Sequence, residues 1–90
     1  MNKNELNGWY LFSASWCGPC KSIKADLEKL KPEQQKIITI LLHEDHKELF
    51  GELGIRTVPQ LFSLKDGNVV EKYSGVPEVP NKIKSLFGNG

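Results

Sequence analysis

Two cysteines, Cys17 and Cys20, are the residues whose type and spacing could do chemistry in this chain. Two thiols separated by two residues can carry a reversible disulfide, supply half of a metal site, or stand together by coincidence. A bridge between them closes too short a loop to staple a small secreted fold. Their surroundings are more informative. Cys17 follows an aromatic-rich run, residues 9–13, and precedes an amphipathic one. Cys20, Ile23, Leu27 and Leu30 recur at spacings of 3, 4 and 3, which predicts a helix over 18–31. Cys17 then stands at the helix start facing solvent, and Cys20 lies one turn in on the buried stripe. A helix N-terminus carries unpaired N–H groups and a partial positive charge, which favour a thiolate. That asymmetry makes Cys17 the nucleophile and Cys20 the resolving thiol. Gly18 lets a partner backbone come close. Pro19 sits in the first turn, where a missing N–H costs nothing, and it withholds a donor from the thiolate.

The elements that must hold this pair can be read along the chain. Residues 9–13 predict a strand bounded by Gly8. Pro32 ends the first helical pattern. Residues 37–42 (IITILL) predict a second strand, apolar enough to be covered on both faces. Asp45 to Glu48 has the form of a capping box, with Asp45 as N-cap. The helix behind it buries Leu49, Phe50 and Leu53, and Gly54 stops it. Residues 60–64 and 69–73 predict a hairpin around Asp66-Gly67. Residues 79–87 predict a last helix, with Val79, Ile83, Leu86 and Phe87 on its buried stripe and Pro80 in its first turn. The order β-α-β-α-β-β-α defines an α/β fold. It implies a four-stranded mixed sheet with helices on both faces. With no strand ahead of it in this pattern, IITILL belongs at a sheet edge. An apolar edge is a pairing hazard, open to a second copy or a docking partner.

Composition narrows the function classes. The chain has 90 residues, 39% of them hydrophobic, which is too apolar for a disordered segment. Twelve basic and 11 acidic residues leave a net charge of +1, so there is no basic field for nucleic acid or an anionic membrane. No span approaches the roughly 18 apolar residues of a membrane helix. The run Trp9–Phe12 is shorter than the roughly 7–15 residues of a signal-peptide core. The expectation is a single cytoplasmic, monomeric domain over 1–90, with 1–8 and 88–90 loosely ordered. His43 and His46 could complete a zinc site. However, 22 residues separate Cys20 from His43, against about 12–15 in zinc-finger patterns. Both histidines read instead as exposed polar residues near a helix N-terminus, and no metal is expected. Trp9 reads as a strand residue packing on a helix.

Trp16-Cys17-Gly18-Pro19-Cys20-Lys21 resembles the active site of thioredoxins. Gly54-Ile55-Arg56-Thr57-Val58-Pro59 resembles the segment leading to that family's cis-proline. Phe62 to Gly67 resembles the strand and turn that follow, and Gly75 the glycine after the last strand. The resemblance spans residues 9–87. The family's first strand and helix have no counterpart, leaving the minimal thioredoxin-like core shared with glutaredoxins. The resemblance implies reduction of protein disulfides through a reversible Cys17–Cys20 disulfide, with no tightly bound cofactor. It implies recharging by a thioredoxin reductase or by glutathione, and ribonucleotide reductase among the clients. It also implies a cis Val58–Pro59 bond facing Cys17. Trp16, Thr57, Val58, Pro59, Gly75 and Val76 would make the contact surface.

Three departures stand beside the resemblance. The family's buried aspartate and its lysine partner are replaced by Leu11 and Ile40, and its helix-kinking proline by Ala25. Thr57-Val58-Pro59-Gln60-Leu61-Phe62 also resembles the Thr-Val-Pro segment by which glutaredoxins contact the cysteinyl part of glutathione. Yet Tyr73 to Pro77 lacks their glutathione clamp, and Cys-Gly-Pro-Cys is the thioredoxin form. The reading is therefore a thioredoxin-type reductase. The alternatives are a glutathione-dependent reductase and a non-catalytic binding subunit.

Overall fold

Gly8–Ser13 forms a strand, β1, whose aromatic and apolar residues serve two faces at once. Tyr10 and Phe12 are buried on one side and Leu11 on the other. A computed structural model describes residues 2–88. Met1, Asn89 and Gly90 lie outside the described residues, and with them most of the expected fray at 88–90. Gly18–Glu28 forms α1, Pro32–Gln35 a single helical turn α2, and Ile38–Leu42 the strand β2. Lys47–Glu52 forms α3, Gln60–Lys65 and Asn68–Ser74 form β3 and β4, and Glu78–Leu86 forms α4.

The strands lie in the order β2-β1-β3-β4. β2 is parallel to β1, while β3 and β4 add antiparallel pairs. This is the expected mixed sheet, with β2 at its edge. Ile38 and Ile40 pack on one face and Leu41 on the other, while Thr39 is exposed. Asp66 and Gly67 join β3 to β4 with φ of 52° and 81°, the two positive values that a tight type I′ turn requires. Side chains of α1 and α4 (Ile23, Leu27, Val79, Ile83) cover Leu11, Ile38 and Leu61. Leu49 and Phe50 of α3 cover Tyr10, Phe12 and Phe62 on the opposite face. Among the described residues no helix is long and apolar enough to cross a membrane.

Trp9 packs against the α1–α4 cluster, as expected. The Lys82 ammonium of α4 lies 5.6 Å from the Trp9 ring centre and 5.1 Å from that of Tyr73. It also sits 3.5 Å from Glu71 Oε1, to which the Tyr73 hydroxyl donates at 2.6 Å. That hydroxyl, more than the ammonium, holds the Glu71 carboxyl below its ordinary range.

Four expectations are corrected. The first helix ends at Glu28, not residue 31, because Pro32 holds Lys31 extended and breaks the run. The Gln35 amide turns back to donate to the carbonyls of Leu30 (2.7 Å) and Glu28 (3.2 Å), satisfying acceptors that the helix end leaves open. Asp45 does not cap α3. It closes a 3-10 turn over His43–Asp45, and His46 takes the N-cap position without a side-chain bond. The other end of α3 is as expected. Gly54, at φ 70°, lets Ile55 N–H reach the Phe50 carbonyl at 2.9 Å. Leu53, expected to be buried, is half-buried.

The fourth correction concerns residues 2–8, the described part of the segment expected to be loose. Asn2 caps a 3-10 turn over Lys3–Glu5, and Leu6 is 2% exposed within the α3-side core. The Leu6 carbonyl accepts from Gly67 N–H at 3.0 Å, and Asn7 Oδ1 accepts from Asp66 N–H at 2.9 Å. The polar composition concealed the one apolar anchor. Leu6→Ala is expected to lower stability by about 2–4 kcal/mol in urea unfolding, the cost of a buried leucine. A loss under about 0.5 kcal/mol, the level of a surface change, would mean the segment is not part of the core.

Candidate functional site

The site begins where β1 leaves the sheet. Ala14 is buried, and its carbonyl accepts from Cys17 N–H at 3.2 Å, turning the chain toward α1. Cys17 takes the N-cap position in an extended conformation (φ −93°, ψ 113°). Its sulfur accepts from Cys20 N–H at 3.3 Å, the place of a capping oxygen. Pro19 lies in the first turn, where its missing N–H leaves no carbonyl without a donor. Cys17 and Cys20 are joined in a disulfide, with Cα atoms 5.3 Å apart.

Cys20 is 1% exposed, as the stripe predicted. Cys17 is 7% exposed, which corrects the expectation that it faces solvent. Val58 and Ala14 pack against it. The Val58–Pro59 bond is cis, and the Val58 carbonyl oxygen lies 3.8 Å from the Cys17 sulfur. Gly75, at φ 74°, donates its N–H to the Pro59 carbonyl at 2.9 Å, which ties the end of β4 to the same loop. Val76–Pro77 is also cis, a feature that the sequence reading did not include.

The structure therefore brings together Cys17, Cys20, Val58, Pro59 and Gly75. Gly18, Pro19 and Thr57 are exposed near them in the chain. Trp16 and Val76 are 68% and 58% exposed, large apolar side chains open to solvent. Leu11 and Ile40 stand opposite each other in the β1–β2 register, both in the apolar α1–α4 cluster. No titrating group occupies either position. The histidines are half-buried, not exposed. His43 meets the Phe50 ring edge-on at 5.1 Å and lies 6.4 Å from the Trp16 ring, and His46 starts α3. Among the described residues no three His, Cys, Asp or Glu side chains gather as a metal site.

Two residues escaped the sequence reading. Both Glu44 carboxylate oxygens accept from Ser15 N–H at 3.3 Å, bracing the loop that carries Trp16. The Ser15 side chain, then the backbone amide of Glu44 itself, hold this carboxyl below its ordinary range. No local spacing could reveal a pair 29 residues apart. Gln60 is 6% exposed and bonded to Thr57 and Ser74. A lone amide at the head of an apolar strand was its visible signal.

A cysteine pair bridged at the head of a helix, across from a cis-proline on a mixed sheet, defines a protein of the thioredoxin fold class. The family model described as Thioredoxin matches residues 8–87. This chain belongs to the thioredoxin family. It is similar to the thioredoxin of Bacillus subtilis, 45% identical over 67 residues, which cover 71% of this chain and 64% of that one. It is 36% identical over 82 residues to mouse mitochondrial thioredoxin, across 86% of this chain and 49% of the relative. The chain thus spans about half the length of the mitochondrial relatives it matches. The crystal structure of Chlamydomonas reinhardtii thioredoxin f2 superposes with a TM-score of 0.70 at 25% identity, over 93% of this chain and 81% of that one.

Acid should loosen the Trp16 loop through Glu44. A carboxyl with a lowered folded pKa stabilises above its ordinary range, and that effect is lost as pH falls through the lowered value. The Trp16 indole resonance, followed by NMR toward acid pH, should shift in this window in the parent chain and not in Glu44→Gln. The same acid shift in both chains would show that Glu44 does not brace the loop.

Proposed function

We propose that this chain is a thiol–disulfide oxidoreductase that reduces protein disulfides with the Cys17/Cys20 dithiol. The observation that carries the reading is the Cys17 sulfur at the head of α1, accepting the Cys20 N–H. A donor aimed at the sulfur, together with the helix N-terminus, favours the thiolate once the bridge is open. Family membership supports the same reading.

In the forward reaction the Cys17 thiolate attacks one sulfur of a client disulfide. A mixed disulfide forms, and the client's other sulfur leaves as a thiolate that takes a proton. The Cys20 thiolate then attacks the Cys17 sulfur. The client's second thiol is released, and the Cys17–Cys20 disulfide closes. Two electrons pass to the client, and the oxidised pair is the state described here. An electron donor, a thioredoxin reductase or two molecules of glutathione oxidised to their disulfide, must restore the reduced pair. No tightly bound cofactor is required, because the two sulfurs carry the electrons.

Trp16, Gly18, Pro19, Thr57, Val58, Pro59, Gly75 and Val76 are the proposed contact surface. The exposure of Trp16 and Val76 and the Val58 carbonyl beside the sulfur support it. A client segment would lie extended along Val58, with its cysteine at Cys17. Ribonucleotide reductase is one such client class. A reducing compartment such as the cytoplasm suits a dithiol that is regenerated after each turnover, in electron transport and thiol homeostasis. We take the working unit to be a single monomeric domain.

Cys17→Ser is expected to abolish insulin reduction, and Cys20→Ser to trap a mixed disulfide with the client, visible by mass spectrometry under non-reducing conditions. Activity retained in Cys17→Ser would leave only a binding role. With Leu11 and Ile40 in place of ionisable groups, the pre-steady-state reduction rate should follow a single apparent thiol pKa. A second apparent pKa that tracks a buried carboxylate would overturn this.

A further inference from the structure

We propose that Gln60 is a positioning residue that presets the client-binding edge of the site. This inference rests on the reductase reading above. Gln60 opens β3 directly after the cis Val58–Pro59 bond, opposite Phe12 in the β1–β3 register. Its side chain is buried on the face that carries Phe12 and Phe62, where an apolar residue would be ordinary. Its amide bridges two loops. Nε2 donates to the Thr57 carbonyl at 2.8 Å and lies 3.3 Å from Thr57 Oγ1. Oε1 accepts from the Ser74 hydroxyl at 3.2 Å.

These bonds run beside the backbone bond from Gly75 to Pro59. Together they hold residues 57–59 to the end of β4 through both main chain and side chain. Residues 55–59 lie outside any helix or strand, so this stretch has no ladder of its own to keep its shape. What it carries is the Val58 carbonyl, 3.8 Å from the Cys17 sulfur. The amide also engages the Thr57 carbonyl, which fixes the orientation of the peptide plane that leads into Val58. The Val58 backbone beside the sulfur is thereby held in one register for the client. A loop already held in its binding shape avoids the ordering cost that a free loop meets on association. The consequence is specific. Loss of the amide should weaken engagement of an extended protein segment and leave reaction with a small disulfide, which needs no register, unaffected.

Gln60→Leu keeps a side chain of similar size and removes the bonds to both Thr57 and Ser74. KM for insulin reduction should rise about tenfold, the scale of one or two lost hydrogen bonds, with kcat unchanged. The second-order rate with a small aromatic disulfide, 5,5′-dithiobis(2-nitrobenzoate), should stay at the parent value. Ser74→Ala, which cuts only the β4 side of the bridge, should give a smaller rise in the same direction. It serves alone if Gln60→Leu does not fold. An unchanged KM in the folded variants overturns the proposal. So does a parallel fall with both disulfides, which would mark a structural role only. If the parent chain reduces neither disulfide, the reductase reading fails instead. The bridge is then judged by NMR order parameters of the Thr57 and Val58 amides, which should fall in the variants. Unchanged order parameters overturn it.

Discussion

The sulfur of Cys17 sits where a capping oxygen usually sits, with the Cys20 N–H aimed at it. The first turn of a helix leaves N–H groups without intrahelical acceptors, and something must meet them. Here that something is the sulfur proposed as the nucleophile. One contact therefore serves both folding and chemistry: it starts α1, and it places an electron-rich sulfur where the helix favours negative charge. The other features of the site follow from keeping that helix start in place. β1 delivers the chain to it, Ala14 packs beneath it, and Val58 closes over it.

Holding the site takes segments far apart in sequence. Glu44 braces the Ser15 amide from beyond the end of β2. Pro59 and Gly75 lock the loops that follow α3 and β4. They meet because β1 lies inside the sheet, flanked by parallel β2 and antiparallel β3, so that the connections leaving β1 and β2 and the one entering β3 can reach the head of α1. Among the described residues no buried side-chain nitrogen or oxygen lacks a hydrogen-bond partner, as a partly buried junction requires. Beneath it, Leu11 and Ile40 fill facing positions with apolar side chains. The core there is continuous, and proton movement at Cys20 has no ionisable neighbour at those two positions.

Much of this was legible in the residues. The spacing of Cys20, Ile23 and Leu27 placed one cysteine inward. Asp66-Gly67 located the hairpin, and Gly54 the end of α3. Each of these signals is local and periodic, so each survives without knowledge of the partner surface. Leu6 was not legible, because one leucine among polar residues has no period, and its burial depends on Gly67 lying alongside. Asp45 failed as a cap for a related reason. A 3-10 turn at the end of β2 shifted the helix start by one residue, and the capping pattern does not record that shift. The partners of Gln60 and Glu44 were not legible, because hydrogen bonds across 14 and 29 positions leave no spacing to count; only the lone amide of Gln60 in an apolar run marked it.

The sequence by itself determined the four strands and the three longer helices, their order and the cysteine pair at a helix start, but not the short turns such as α2, because periodicity and N-terminal helix chemistry act over a few residues. Only the tertiary structure decided how open Cys17 is and which backbone group it meets. Those depend on the loop from α3 to β3 folding across the head of α1. The contact there, from the Cys17 sulfur to the Val58 carbonyl, joins residues 41 positions apart. No local propensity specifies such a distance; the packed sheet does.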